Sequence, residues 1–495
     1  MAEELQNKEV QSSYRSIFKA TSLFGGVQIY QIIIQIIRSK FIAVILGPTG
    51  VGIQGLFCSA TDLIKYLTSF GLAQSAVRDV SVANGSGDII HIHRTVTIVR
   101  RLVWLTGLFG LVIFLLLSPL LSKWSFGNYD YAISFAFLSI SILIDQLSAG
   151  QKVILQGLRR LKDLAKASAL GSIIGLLITI PLYYYFKIDG IVPTLILHSV
   201  AILIISWLYS RKVKVPKITI KPKEVFVDGR QMMSLGISMS FSTILAAASS
   251  YVLRAFIRLE GGTVDVGLYT AGFAIMSSYV GMIFSAMGTD YYPRLSAVQE
   301  DNIKCRALVN QQGEIASLII TPLLSICIIF MPIAVQVLYS NEFMGACGYL
   351  LWASLGTMFK LGSWLISFQF VAKGESVLFV KNELLSGIYS FILNIFGYKY
   401  GGVTGVGVAY FISYFVYFMQ VYFIAKHRYS FSFTKQFYYL YLFQTLGIGL
   451  TLGVALSCTG WVKYIIGSVI VISSALISIS LLNKRMAIIS FLRKK

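Results

Sequence analysis

Ionisable side chains that fall inside long apolar runs of this sequence include Arg38, Lys40, Asp62, Lys65, Asp145, Arg254, Asp290, Glu314 and Lys360. Charge held away from water is costly, so such residues face a partner or a wet cavity rather than hydrocarbon. Arginine suits phosphate because its planar fork makes two parallel hydrogen bonds. At about 100° per residue, Thr21, Gly25, Gln28, Gln31, Gln35 and Arg38 share one helix face, with Ile, Leu, Val and Phe on the others. Three glutamines and an arginine do not belong against lipid, so this stripe is expected to line a wet cavity. Gly236, Ser240, Thr243, Ala247, Ser250 and Arg254 share a face in the same way, although small and hydroxylated residues also serve helix packing. Lys65 and Lys360 supply two further cations. Asp62 lies one turn from Lys65, so local neutralisation competes with ligand binding there. Asp62, Asp145 and Glu314 are candidates to carry a coupling proton or sodium ion, since low dielectric moves carboxylate proton exchange toward neutral pH; each serves equally well to balance a nearby cation. Asp290 lies at a span edge and is expected to be structural.

Other chemistries find little support. His91 and His93 form a pair without a cysteine or acid cluster beside it, which does not make a metal site. No phosphate-binding G-x-x-x-x-G-K-[ST] loop and no G-x-S-x-G elbow occurs. Cys58, Cys305, Cys327, Cys347 and Cys458 are scattered and read as small buried hydrophobes. No cofactor is expected.

The elements that must position these residues follow from composition. Of 495 residues, 56% are apolar and 13% charged, against about a quarter charged in a soluble domain. Runs of about 20 apolar residues span a bilayer. About fourteen occur, near 20–46, 52–77, 97–121, 130–155, 164–186, 190–210, 231–258, 265–292, 307–338, 344–371, 376–397, 403–425, 436–457 and 461–482. Pro322 and Pro332 fall in the ninth, where they can kink or break it. The first run is too long for a signal-peptide core and is expected to be a membrane helix. The gaps between runs leave no room for a catalytic domain outside the membrane. With the N-terminus placed inside, the inward segments and span ends hold 32 of the 42 Lys and Arg residues, and the outward loops hold five. That bias is the positive-inside signature, so both termini are expected in the cytoplasm. It also accounts for the net charge of +21 without nucleic acid.

An internal repeat organises the spans. Arg38 precedes LGPTGVGIQGLF (46–57) as Arg254 precedes LEGGTVDVGLYTAG (259–272), and KIDGIVPTLIL (187–197) parallels YGGVTGVGVAYF (400–411), at a spacing near 215 residues. The expected organisation is a tail (1–19), a six-helix lobe (20–210), a basic linker (211–230), a second six-helix lobe (231–425), two further helices (436–482) and a basic tail (483–495). Six spans per copy make the repeat parallel. Such lobes rock about a site near the midplane, where Arg38, Lys65, Arg254 and Lys360 would form a cationic site.

LGPTGVGIQGLF, VGLYTAGFAI (266–275) and YYPRLSAVQ (291–299), with the span count and the basic stripes, resemble the multidrug/oligosaccharidyl-lipid/polysaccharide (MOP) exporter superfamily, and within it O-antigen translocases of the Wzx type. The resemblance implies an all-α polytopic protein of the bacterial inner membrane. It implies alternating access and a substrate of undecaprenyl diphosphate carrying an oligosaccharide repeat unit, with no enzymatic step. It further implies a surrounding lipid bilayer, a coupling proton or sodium ion, and a polysaccharide polymerase and chain-length regulator as partners. Lipid II flippases of the superfamily also use cavity arginines and have two extra C-terminal helices. A cation-coupled drug exporter of the same fold is the main rival. A membrane polysaccharide polymerase is a weaker one, because no large external loop occurs.

Overall fold

The computed structural model describes residues 2–86, 88–213 and 221–486, with side chains described from Tyr30 to Asn483 except at residues 222, 223, 226, 279 and 289. The described residues are almost entirely helical. In order they form α1 (Ala2–Ser69), α2 (Leu72–Ser86), α3 (Ile89–Phe126), α4 (Ala132–Gly157), α5 (Leu161–Phe186), a 3₁₀ turn (Lys187–Gly190), α6 (Ile191–Ser210), α7 (Pro222–Ile275), a π turn (Met276–Val280) and α8 (Gly281–Ala297). There follow α9 (Asn302–Leu338), a 3₁₀ turn (Asn341–Phe343), α10 (Ala346–Ala372), α11 (Ser376–Tyr429), α12 (Lys435–Ser457) and α13 (Gly460–Met486). Lys214 and Lys217 of the basic linker and residues 487–495 of the tail lie outside the described residues.

Nine helical stretches among the described residues are long and apolar enough to cross a membrane, and several exceed one crossing, such as Leu161–Ser210 at 50 residues. Single glycines divide the longest helices. The helical run of α1 breaks at Gly47 (φ 62°, ψ −175°), next to Pro48. That of α7 breaks at Gly262 (φ 84°, ψ −177°) and that of α11 at Gly402 (φ 57°, ψ −145°). Glycine tolerates these conformations because it lacks a Cβ. By contrast, α9 runs unbroken through Pro322 and Pro332.

Two compact units arise, Met1–Ala255 and Phe256–Lys495. In the first, one apolar core joins Leu72, Ala76 and Val80 of α2 to Val96, Val99 and Leu102 of α3, Ile154 of α4, and Val225 and Met232 of α7. A ring cluster of Phe57, Phe126 and Phe135 ties α1 to α3 and α4. Gly236 of α7 lies on the turn at Gly71; a Cβ there would sit 2.3 Å from the Phe70 carbonyl oxygen. In the second unit the two halves of α11 cross at Gly397 and Gly405, where a Cβ on Gly405 would lie 1.8 Å from the Gly397 oxygen. Phe437 of α12 closes over Gly313 of α9.

The repeat is written in the backbone. Left-handed φ occurs at Gly47 and Gly262, at Arg159 (55°) and Gly374 (74°), and at Lys187 (48°) and Gly402 (57°). The second member of each pair follows the first by 215 positions. In two pairs the first unit holds a residue with a Cβ where the second holds glycine, so it carries backbone strain of about 1 kcal/mol per site. Lys187→Gly is therefore expected to raise thermal stability in detergent by about 1 kcal/mol, and Gly402→Ala to lower it by about 1–2 kcal/mol. Nothing lies within 4 Å of a Cβ built at Gly402, so the second effect would be purely conformational. Equal melting temperatures for both variants and the parent would show that these turns are unstrained.

Candidate functional site

The first unit encloses a cavity of about 420 Å³. The second half of α1 supplies Cys58, Asp62 and Lys65 to its wall, α4 supplies Asp145, Gln146 and Lys152, and α6 supplies His198. Helical spacing brings Asp62 and Lys65 to one face, with Lys65 Nζ 2.7 Å from Asp62 Oδ1. The same ammonium lies 3.6 Å from Asp145 Oδ2. The Gln146 side chain donates to the Lys65 carbonyl at 3.3 Å, locking α4 to α1. Two carboxylates on one lysine satisfy the demand that charge away from water be paired. The local neutralisation foreseen for Asp62 is thus present, and Asp145 joins it.

Arg38 lies on the first half of α1. Its Nε is buried and has no hydrogen-bond partner among the described residues. Arg254 of α7 is 6% exposed and donates to the Ser250 carbonyl at 3.1 Å and to the Ser250 hydroxyl. The charges of Arg38 and Arg254 both act on Cys58, as do those of Asp62 and Lys65. Neither arginine forms the wall of the cavity itself. Gln31 is half-buried and Gln35 exposed. The side chain of Gln28 lies outside the described residues. On α7 the small-residue stripe divides its work: Gly236 packs on Gly71, the Ser240 hydroxyl donates to Gln74 at 3.2 Å, and Ser240 and Thr243 reach the cavity wall.

In the second unit, Lys360 of α10 stands over the rings of Phe284, at 5.6 Å, and Tyr414, at 5.3 Å. Such aromatic faces stabilise a cation held away from water. Glu314 of α9 is buried and partnered. The two halves of α11 are tied by Tyr417 donating to Glu383 at 2.6 Å and Gln420 donating to Asn382 at 2.6 Å. Asp290 pairs with Arg294 at 3.2 Å on the surface. No group of three or more metal-binding side chains gathers among the described residues.

Sequence reasoning missed Lys152, His198 and Glu383. Lys152 was absorbed into the loop charges although it falls seven residues, about two turns, after Asp145 on the same face. His198 stands alone in ILHSVAIL, and a lone ionisable residue inside an apolar run is signal enough. Glu383 lies inside the run 376–397, two positions after Lys381, and belongs with the ionisable residues of the spans.

The sequence matches the family model described as polysaccharide biosynthesis protein over residues 41–347. It is 20% identical over 413 residues to proteins named lipid III flippase in Escherichia coli (strain K12) and Shigella flexneri, covering 81% of this chain and 96% of theirs. Among solved structures, a lipid II flippase in an inward closed conformation aligns with a TM-score of 0.70 at 14% identity, over 95% of this chain and all of the other. A multidrug transporter of the MOP superfamily, inward-facing, aligns with a TM-score of 0.68 at 16% identity, over 81% of this chain and 98% of the other.

Removing the shared cation should be costly. Lys65→Met leaves Asp62 and Asp145 facing each other unpaired, and is expected to destabilise by about 2 kcal/mol, below the ~3–5 kcal/mol of a fully enclosed pair because water reaches these groups. Adding Asp145→Asn should recover most of the loss. Thermal unfolding of the purified variants measures both, and an unshifted Lys65→Met transition would mean that the triad holds nothing together.

Proposed function

The chain belongs to the family of polysaccharide biosynthesis proteins, and from that membership we propose that it carries a lipid-linked oligosaccharide across the bacterial inner membrane. The substrate we assign is an undecaprenyl-diphosphate-linked repeat unit of an O-antigen or related surface polysaccharide. It moves from the cytoplasmic to the outer face by alternating access, with no bond made or broken. The fold is that of MOP superfamily transporters. In this reading the chain crosses the membrane about fourteen times, as two six-helix lobes followed by two further helices. The excess of Lys and Arg on one side supports cytoplasmic termini.

The observation that carries the reading is the state of Arg38. A guanidinium Nε buried without a partner among the described residues costs free energy unless a ligand completes it. Its fork suits a phosphate oxygen pair. We assign Arg38 and Arg254, both in the first unit, to the diphosphate, with Lys65 serving that site through the two acids it holds; Lys360 of the second unit remains a candidate substrate cation, and Gln28, Gln31 and Gln35 candidates for the polar path of the sugar. Asp62, Asp145 and Glu314 remain the candidates for a coupling proton or sodium ion. The curated relatives are named as flippases of a lipid-linked molecule, which favours this substrate class over a cationic drug. A drug cation would want free carboxylates, and the two acids of the cavity are already committed to Lys65.

In a strain that depends on this protein, Arg38→Ala and Arg254→Ala are expected to abolish surface glycan at normal protein levels. The completed lipid-linked unit should accumulate on the inner leaflet. Normal surface glycan in both variants, or resistance to toxic cations without any glycan defect on deletion, would favour the drug exporter instead.

A further inference from the structure

The cavity of the first unit holds two lysines in different circumstances. Lys65 is committed to Asp62 and Asp145. Lys152 enters the same cavity from α4, yet no described carboxylate lies within ion-pair distance of it. The charges of Asp145 and Lys65 reach it only through space. His198 lines the same cavity, near enough for the charge of Lys152 to act on it, and its ring lies over Gly175 so closely that a Cβ there would fall 2.4 Å from its Cδ2. The two lysines and two aspartates cancel, so the cavity does not select a ligand by net charge. Selection then falls to the ammonium that has no ion-pair partner among the described residues, because a half-buried charge gains most from a counter-charge it does not yet have.

We propose that Lys152, rather than Lys65, is the group through which this cavity binds a phosphate, with His198 as the adjacent hydrogen-bond donor. Lys65 acts at one remove, by holding two carboxylates that would otherwise repel the anion. The inference rests on the flippase reading for where the phosphate comes from, a lipid-linked diphosphate. The binding chemistry itself requires only a phosphate group, which a soluble anion also presents.

The test is calorimetric titration of the full-length protein in detergent, with inorganic pyrophosphate in one arm and farnesyl diphosphate in the other. Lys152→Gln is expected to weaken both about tenfold or more, while Lys152→Arg keeps most of the affinity. Lys65→Gln should also weaken binding, because it frees two carboxylates. The double variants separate the two roles. Lys65→Gln with Asp145→Asn should regain near-parental affinity, whereas Lys152→Gln with Asp145→Asn should not, since a lost contact is not restored by removing a repulsion. Tighter binding of farnesyl diphosphate would support a lipid-borne phosphate, and equal binding a soluble one; either supports the role of Lys152. Parental affinity in Lys152→Gln, or its recovery in the second double variant, would overturn the inference. If that occurs while Arg38→Ala still blocks export, the flippase reading stands and only this assignment falls. If the parent protein binds neither probe, the cavity is no phosphate site. Unliganded melting temperatures of each variant establish that the effects are not unfolding.

Discussion

A cation inside an apolar helix bundle needs an opposite charge, and the first unit is arranged around meeting that need at Lys65. Its ammonium draws Asp62 from its own helix and Asp145 from α4. Gln146, next to Asp145, binds the backbone of the Lys65 turn. The contact therefore fixes the register of α4 against α1 as well as balancing charge. Gly107 and Gly110 of α3 lie against Leu143 and Ile142 of α4, so close packing leaves α4 little freedom to relax if the ion pair is lost. A polar network inside a bundle specifies geometry only when each member is satisfied. Here the carboxylates are satisfied by one lysine, and that leaves the other lysine of the cavity available.

The two units solve the same backbone problem with different residues. Turns at Gly47 and Gly262, Arg159 and Gly374, and Lys187 and Gly402 recur at a spacing of 215 positions. Where the second unit uses glycine at the last two sites, the first tolerates side chains in left-handed conformations. Chance similarity among glycines cannot produce this, because two of the six positions are not glycine. The repeat is a property of the fold that the residue types have partly drifted away from.

That drift explains what could be read in advance. The apolar runs, the break between the first two spans at Gly47 and the repeat spacing were legible, because hydrophobic length and glycine punctuation act locally. The ionisable residues Asp62, Lys65 and Asp145 were visible as expensive groups, but their union at one ammonium was not, since it depends on how α4 lies on α1. Lys152 looked like one more positive loop charge, because the same residue type serves topology and ligand binding, and only the packing of α4 and α6 shows which wall it joins. His198 was hidden by the strength of the apolar signal around it. The unbroken path of α9 through Pro322 and Pro332 was likewise beyond local reasoning, for neighbouring groups can satisfy the carbonyls that proline frees.

Equivalent positions also differ in how completely they are satisfied. Tyr398 donates to Asp265 at 2.6 Å in the second unit. The matching positions in the first unit, 215 residues earlier, are Tyr183 and Gly50, so the carboxylate is missing. Tyr183 is fully buried, as is Thr194, and the Tyr183 hydroxyl has this neutral hydroxyl beside it where Tyr398 has a carboxylate. Arg38, whose charge acts on Tyr183, has its Nε buried without a hydrogen-bond partner among the described residues. Such an orphaned donor costs about 1–3 kcal/mol of desolvation. At this pair of positions the second unit closes its polar contact on a carboxylate, and the first leaves a guanidinium Nε open near Tyr183. An open guanidinium has more to gain from a negatively charged ligand than from a neutral one, because its fork matches paired phosphate oxygens.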